Sequence, residues 1–149
     1  MNMTLQNWLL NDWLTPHKTS QQEISDLLAV ADRDLSDCQS LGLSPDGKLH
    51  IAYNAALQAA TAALAAAGYR AAREAHHFRV IQSLAYTIGA PSSLIAQFDQ
   101  FRKKRNIGGY ERAGTTSDQE AKEMFLLAKK IRSDVEAWLQ DTHPELMGT

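Results

Sequence analysis

The sequence is short of turn-forming residues and of cysteine. Its eight glycines and four prolines among 149 residues argue against a many-stranded sandwich or barrel, against collagen and against disorder. The single cysteine, Cys38, excludes an internal disulfide framework and favours a reducing, cytoplasmic location. The five histidines show no zinc-ligand spacing, and no phosphate-loop or dinucleotide motif appears. We therefore expect neither a metal ion nor a cofactor.

An excess of one charge and a long, strongly hydrophobic run are also missing. Fifteen Lys and Arg against 17 Asp and Glu give a net charge of −2, so any site for a polyanion must be a local patch. The most hydrophobic stretch, residues 51–69, is mostly alanine and contains Asn54, Gln58 and Thr61. A bilayer span needs about 20 strongly apolar residues, so this stretch predicts a buried helix. The N-terminus does not resemble a secretory signal, and we expect no membrane contact.

Helical periodicity is the main feature that is present. The length fits a single domain, residues 1–149, with a core of about residues 20–142. We predict an all-α fold: an antiparallel four-helix bundle core, about five helices in all, and a short N-terminal helix around residues 5–14. The alanine-rich second helix is expected at the centre, and no segment alternates at period two for long enough to predict a strand. The four apolar stripes are Ile24, Leu28, Ala31, Leu35 and Cys38; Tyr53, Leu57, Ala60, Leu64 and Ala67; Phe78, Ile81, Ala85 and Ile88; and Ala121, Met124, Ala128, Ile131, Val135 and Trp138.

Capping signals mark the ends of the predicted helices. Serine three residues before glutamate is typical of a capping box, in which each side chain satisfies a backbone N–H of the first turn. Proline favours the first helical position and glycine the position after the last one. The predicted capping boxes are Ser20 with Glu23 and Ser117 with Glu120, Ser44 and Pro45 start the second helix, Gly68 ends it, and the last helix ends near Thr142.

The densest basic segment, residues 102–112, follows the apolar stripe of Leu94, Phe98 and Phe101. Arg105 is the next position on that stripe, so we expect it to point along the bundle seam, where an arginine needs polar surroundings. Asn106 lies four residues before Tyr110, and the two share a face if the helix continues through Gly108 and Gly109.

The basic residues before Arg105 have two interpretations. Arg102, Lys103 and Lys104 are either a solvated helix end, where cations interact favourably with the last carbonyls, or a surface that contacts phosphates. As a phosphate-binding surface they would act together with Arg112, and would supply affinity for RNA without reading its bases.

The order of these motifs resembles the HEPN domain family, over about residues 23–138. The resemblance rests on Arg105-Asn106-x-x-x-Tyr110 at the end of the penultimate helix, on residues 51–60, on Gly68-Tyr69-Arg70, on His76-His77 and on Lys103-Lys104. It implies a small helical bundle that forms a homodimer. It also implies an association with RNA, since many family members are metal-independent ribonucleases of toxin–antitoxin and defence systems, some with a nucleotidyltransferase-type antitoxin partner.

The resemblance also implies a set of site residues. Arg105 and Asn106 match the start of the family motif, but its histidine is absent and Tyr110 stands among the expected positions. Histidine suits proton transfer near neutral pH, whereas a tyrosine with a pKa of about 10 is a poor base. The candidate catalytic residues are therefore Arg105, Asn106 and Tyr110. His77 could replace the missing histidine if the third helix begins beside Arg105, and the alternative is that His76 and His77 are a polar pair at a helix start.

Tyr110 has a second candidate role. In related two-gene systems a HEPN tyrosine beside the motif accepts a nucleotide from the partner, and the added phosphate would pair with Arg105 and silence the site. The alternative is that the Tyr110 hydroxyl donates a hydrogen bond that closes the end of the bundle.

Two main hypotheses for function follow from the sequence. The first is a HEPN-like RNA-associated protein, a toxin or defence-system ribonuclease with a degenerate motif. The second is a non-catalytic HEPN domain that binds a nucleotide, RNA or partner protein with the same pocket. A helical adaptor without pocket chemistry is the remaining alternative.

The family resemblance and the position of Arg105 on an apolar stripe predict a symmetric homodimer. Its cleft would give both copies of Arg105 polar surroundings, and a standard two-fold interface buries on the order of 1,600 Å². Light scattering at micromolar concentration should give twice the 16.5 kDa mass of the chain. A monomer at that concentration would contradict a site built from two copies.

Overall fold

The computed structural model describes residues 4–107 and 116–148. Within these residues the chain forms a helical bundle with five helices after a short N-terminal one, as the sequence predicts. The elements are α1 (Leu5–Leu10), β1 (Leu14–Pro16), α2 (Gln21–Asp37), α3 (Pro45–Ala66), β2 (Tyr69–Ala71), α4 (His76–Ser83), α5 (Ser92–Ile107) and α6 (Asp118–Thr142), followed by a 3₁₀ turn (Pro144–Leu146).

Helix α3 occupies the centre of the bundle. Nine of its alanines are buried, and it packs most extensively against α6 and α2, with smaller contacts to α4 and α5. Small side chains allow neighbouring backbones to approach closely, and the close packing leaves little free space around them. The hydrophobic stretch of the sequence is therefore a core helix. No helix in the described ranges is long and apolar enough to cross a membrane.

Most of the predicted caps are confirmed. The Ser44 hydroxyl accepts a hydrogen bond from the backbone N–H of Gly47, and Ser117 and Glu120 form the expected capping box. Gly68 follows the end of α3 with φ = +101°, a left-handed conformation that glycine adopts without the steric penalty of a Cβ.

The capping box predicted at the start of α2 is only half formed. The Ser20 hydroxyl accepts from the backbone N–H of Glu23, but the Glu23 carboxylate does not return to the backbone of Ser20. Instead its Oε1 lies 2.7 Å from both the Thr19 hydroxyl and the His17 Nε2. The side chains of His17 and Thr19 thus donate to the Glu23 carboxylate in place of the backbone N–H of Ser20.

The apolar stripe predicted for the third predicted helix, which is α4, is confirmed only in part: Ile81 is buried and Ile88 packs against the core. Helix α4 ends at Ser83 after eight residues, and the chain continues through turns over residues 84–88. Its buried apolar side chains are Val80 and Ile81, with Leu84 just beyond the helix, whereas Ala85 is exposed. Because α4 ends at Ser83, the helical spacing does not extend to Ala85, and Leu84 reaches the core instead.

A small antiparallel ribbon, which the sequence did not predict, attaches the N-terminal segment to the bundle. Leu14 of β1 lies opposite Ala71 of β2, and strands of three residues are too short to show a period-two pattern. The guanidinium carbon of Arg79, on α4, lies 3.7 Å from the ring centre of Trp13 and 5.6 Å from that of Trp8. These cation–π contacts hold the segment against the helix that carries His77.

The packing of α3 predicts that a larger side chain at Ala59, which is 0% exposed, destabilises the protein. Overpacking a dense core costs about 1–3 kcal/mol, so Ala59→Leu should lower the free energy of unfolding by that amount in a urea titration. Ala137→Leu is the matched control because Ala137 is exposed on α6 and surface changes stay within about 0.5 kcal/mol. Equal stability of the two variants would contradict the tight packing of α3.

Candidate functional site

The candidate site lies where the last turn of α5 meets the first half of α3. The buried side chains of Leu94, Phe98 and Phe101 fix one face of α5 against the core. Arg105 continues this face and is half-buried, as its place on the stripe predicts. It contacts α3 through two side chains, His50 and Tyr53.

Arg105 is held by an imidazole and an aromatic ring. Its Nε donates a hydrogen bond to His50 Nδ1 at 3.1 Å, and its guanidinium carbon lies 5.0 Å from the centre of the Tyr53 ring. The Tyr53 side chain is 1% exposed and packs edge-on against Phe98, with ring centres 5.6 Å apart. In the part of the chain that the structure describes, no carboxylate forms an ion pair with Arg105.

His77 reaches the same place from α4. Its Nδ1 lies 3.4 Å from the Tyr53 hydroxyl oxygen, and the two ring centres are 6.0 Å apart. The N-terminal end of α4, which is the third predicted helix, thus lies beside the C-terminal end of α5. Of the adjacent residues His76 and His77, only His77 contacts this site. His76 instead lines a separate cleft of about 170 Å³ that is shared with His17 and Glu23. We call His50, Tyr53, His77 and Arg105 the Arg105 cluster.

The environment of the Arg105 cluster favours neutral imidazoles. Burial, followed by the charge of Arg105, lowers the pKa of His50 below its usual value of 6.5, although Asp46 acts in the opposite direction. The pKa of His77 is lowered by burial and then by the charges of Arg105, His76 and Arg102.

Tyr53 keeps its proton in this environment. Burial raises the pKa of Tyr53 to about 12, despite the nearby guanidinium groups of Arg105 and Arg102. The Arg105 cluster at neutral pH therefore combines one permanent cation with two uncharged imidazoles and a protonated phenol.

The three cations that precede Arg105 all have acidic partners. Arg102 Nε lies 2.7 Å from Asp99 Oδ1, and Lys103 Nζ lies 3.6 Å from Asp99 Oδ2. Lys104 Nζ lies 3.1 Å from Glu120 Oε2 at the start of α6. Carboxylates thus partly compensate the predicted RNA-binding run, although the Lys103 side chain is 64% exposed. Arg105 differs from its neighbours in its lack of a carboxylate partner among the described residues.

Three other predicted site residues lie outside what the structure describes: the side chain of Asn106, and Tyr110 and Arg112 in full. The same holds for Gly108 and Gly109. In the two described ranges no group of three or more His, Cys, Asp or Glu side chains could hold a metal ion.

Sequence reasoning missed His50 and Tyr53 as members of the site. His50 shows no motif, and Tyr53 belongs to an apolar stripe that predicts a core position. Their separation by three residues places them on one face of α3, which is the available sequence signal. Nothing in the sequence indicates that this face meets Arg105.

No family model matches this chain, and no curated protein or solved structure does. The chemistry of the Arg105 cluster is therefore inferred from its own geometry and charges.

The lowered pKa values of His50 and His77 predict that acidification destabilises the protein. Because the unfolded chain takes up protons near pH 6.5 and the folded chain only at lower pH, stability falls as the pH drops through 6.5. The lowered pKa values of Glu23 and Glu120 reduce the stability only as the pH falls near and below 4.5.

The urea midpoint should therefore decrease between pH 7.5 and pH 5.5. The decrease should be smaller in the double variant His50→Gln, His77→Gln. His143→Gln serves as the control because His143 lies at the end of α6, outside the Arg105 cluster. A pH dependence of the double variant equal to that of the wild type would show that these two imidazoles do not cause the effect.

Proposed function

We propose that this chain is a HEPN-like, RNA-associated protein that cleaves RNA without a metal ion, with the Arg105 cluster as its site. One observation supports this most directly: Arg105 is half-buried beside two imidazoles and has no carboxylate partner in the described part of the chain. An arginine removed from water needs an anion or good acceptors. Its guanidinium matches the oxygens of a phosphate.

The residues present suit the attack of a ribose 2′-hydroxyl on the adjacent phosphorus. The bond from O2′ to phosphorus forms, the bond from phosphorus to O5′ breaks, and the products are a 2′,3′-cyclic phosphate and a 5′-hydroxyl. His77 is neutral at pH 7; with its Nδ1–H donated to the Tyr53 hydroxyl oxygen, its Nε2 is free and takes the proton of the 2′-hydroxyl. Arg105 stabilises the negative charge on the phosphoryl oxygens. Water, or the hydroxyl of Tyr110, returns a proton to O5′.

The proposal includes the wider context that the family resemblance implies. The protein acts as a homodimer in the cytoplasm, and a nucleotidyltransferase-type antitoxin partner modifies Tyr110. A phosphate attached to Tyr110 would compete with RNA for Arg105, because both offer anionic oxygens to the same guanidinium.

A second candidate is a non-catalytic domain that binds RNA or a nucleotide at the same site. It is favoured by the absence of the motif histidine and by the pairing of Arg102, Lys103 and Lys104 with carboxylates. In this case Arg105 binds phosphate, and His77 only supports Tyr53.

A cleavage assay on labelled single-stranded RNA in the presence of EDTA distinguishes these candidates. Arg105→Ala should abolish cleavage and weaken RNA binding. His77→Gln should reduce the cleavage rate by about 10²–10⁴-fold with little change in binding. Arg73→Ala is the matched control, since Arg73 is exposed outside the Arg105 cluster.

Each result of this assay has a clear meaning. Binding without cleavage by the wild type would support the non-catalytic candidate. If cleavage requires a divalent ion, or if Arg105→Ala behaves like Arg73→Ala, the proposed site is wrong.

A further inference from the structure

The hydrogen bond between Arg105 and His50 fixes the protonation of His50. A guanidinium only donates, so the His50 Nδ1 atom, 3.1 Å from Arg105 Nε, must be the unprotonated acceptor. A neutral imidazole with a free Nδ1 carries its proton on Nε2. His50 therefore has no free nitrogen that could remove a proton from a substrate while this bond persists.

The same bond also fixes which edge of Arg105 is available. Arginine can bind a phosphate through Nε together with one terminal nitrogen, or through its two terminal nitrogens. His50 occupies the Nε edge, and the Tyr53 ring packs close to the guanidinium. In the described ranges no residue accepts a hydrogen bond from the terminal nitrogens of Arg105, so this part of the chain does not engage that edge.

We propose that His50 is a positioning residue: by accepting the Arg105 Nε–H, it orients the two terminal nitrogens of Arg105 to bind a phosphate group in a bidentate manner. This role specifies how the site of the proposed function binds phosphate. The statement that the phosphate belongs to RNA rests on that proposed function. The shared ligand chemistry is a phosphate group, which an RNA backbone or inorganic phosphate can supply. His50 acts through Arg105 and does not contact the reacting atoms.

Three variants separate positioning from general stability. His50→Asn keeps a side-chain oxygen near the place of Nδ1 and so retains an acceptor for Arg105, whereas His50→Leu fills similar space without one. Arg105→Lys keeps the charge but lacks a pair of parallel donors. Thermal unfolding of each variant shows whether any loss of binding is only a loss of fold.

The first measurement is the ¹⁵N NMR spectrum of the free protein, with the His50 nitrogens and the Arg105 Nε–H assigned. An unprotonated Nδ1, and an Arg105 Nε–H that exchanges slowly with water, are expected in the wild type. The slow exchange should persist in His50→Asn and disappear in His50→Leu. A protonated Nδ1, or slow exchange retained in His50→Leu, would overturn the positioning role.

The second measurement is binding of inorganic phosphate and, separately, of a single-stranded RNA oligonucleotide. Loss of a hydrogen bond to a charged group predicts about tenfold weaker binding, or more, for His50→Leu. Near wild-type binding is expected for His50→Asn, and weak binding for Arg105→Lys.

The two probes distinguish failure of the inference from failure of the proposed function. If phosphate shifts the Arg105 signals but RNA does not bind, the RNA function fails and the phosphate site stands. If neither probe binds, or if folded His50→Leu binds both probes as the wild type does, the inference is wrong.

Discussion

The close packing of the alanine surface of α3 is the constraint on which the rest of the structure depends. Alanines on this helix allow α2 and α6 to approach it closely, and only a few of its buried positions hold larger side chains. Tyr53 is such a group, and it lies fully buried between Phe98, His77 and the guanidinium of Arg105. The position of the Arg105 cluster is thus a consequence of how the core is filled.

The distribution of carboxylates explains why Arg105 is chemically distinct from its basic neighbours. Arg102 and Lys103 form ion pairs with Asp99, and Lys104 forms one with Glu120. Each ion pair weakens the attraction of these cations for an anion from outside the protein. His50 gives Arg105 an acceptor but no negative charge. Because a neutral acceptor satisfies the hydrogen bond without neutralising the cation, the attraction of Arg105 for an anion persists.

The sequence predicted features that depend on local interactions and missed those that depend on tertiary contacts. Helix caps at Ser44 and Ser117, and the seam position of Arg105, follow from spacing along one helix. The contacts of Arg105 with His50 and Tyr53 join residues separated by about a third of the chain, and no periodicity encodes such a pair. Glu23 shows that a local prediction can also fail. Its carboxylate accepts hydrogen bonds from His17 and Thr19 and not, as the capping box requires, from the backbone N–H of Ser20.

The buried alanines of α3 also constrain how this chain can change over generations. A larger residue at any of these positions requires a smaller one on a neighbouring element, most often α2 or α6, since a dense interior has little room to relax. Substitutions along these interfaces therefore have to occur in compensating pairs, whereas the exposed faces of α2 and α6 can vary one residue at a time. Descendants of this sequence should keep a stripe of small residues along their central helix long after their surfaces have diverged.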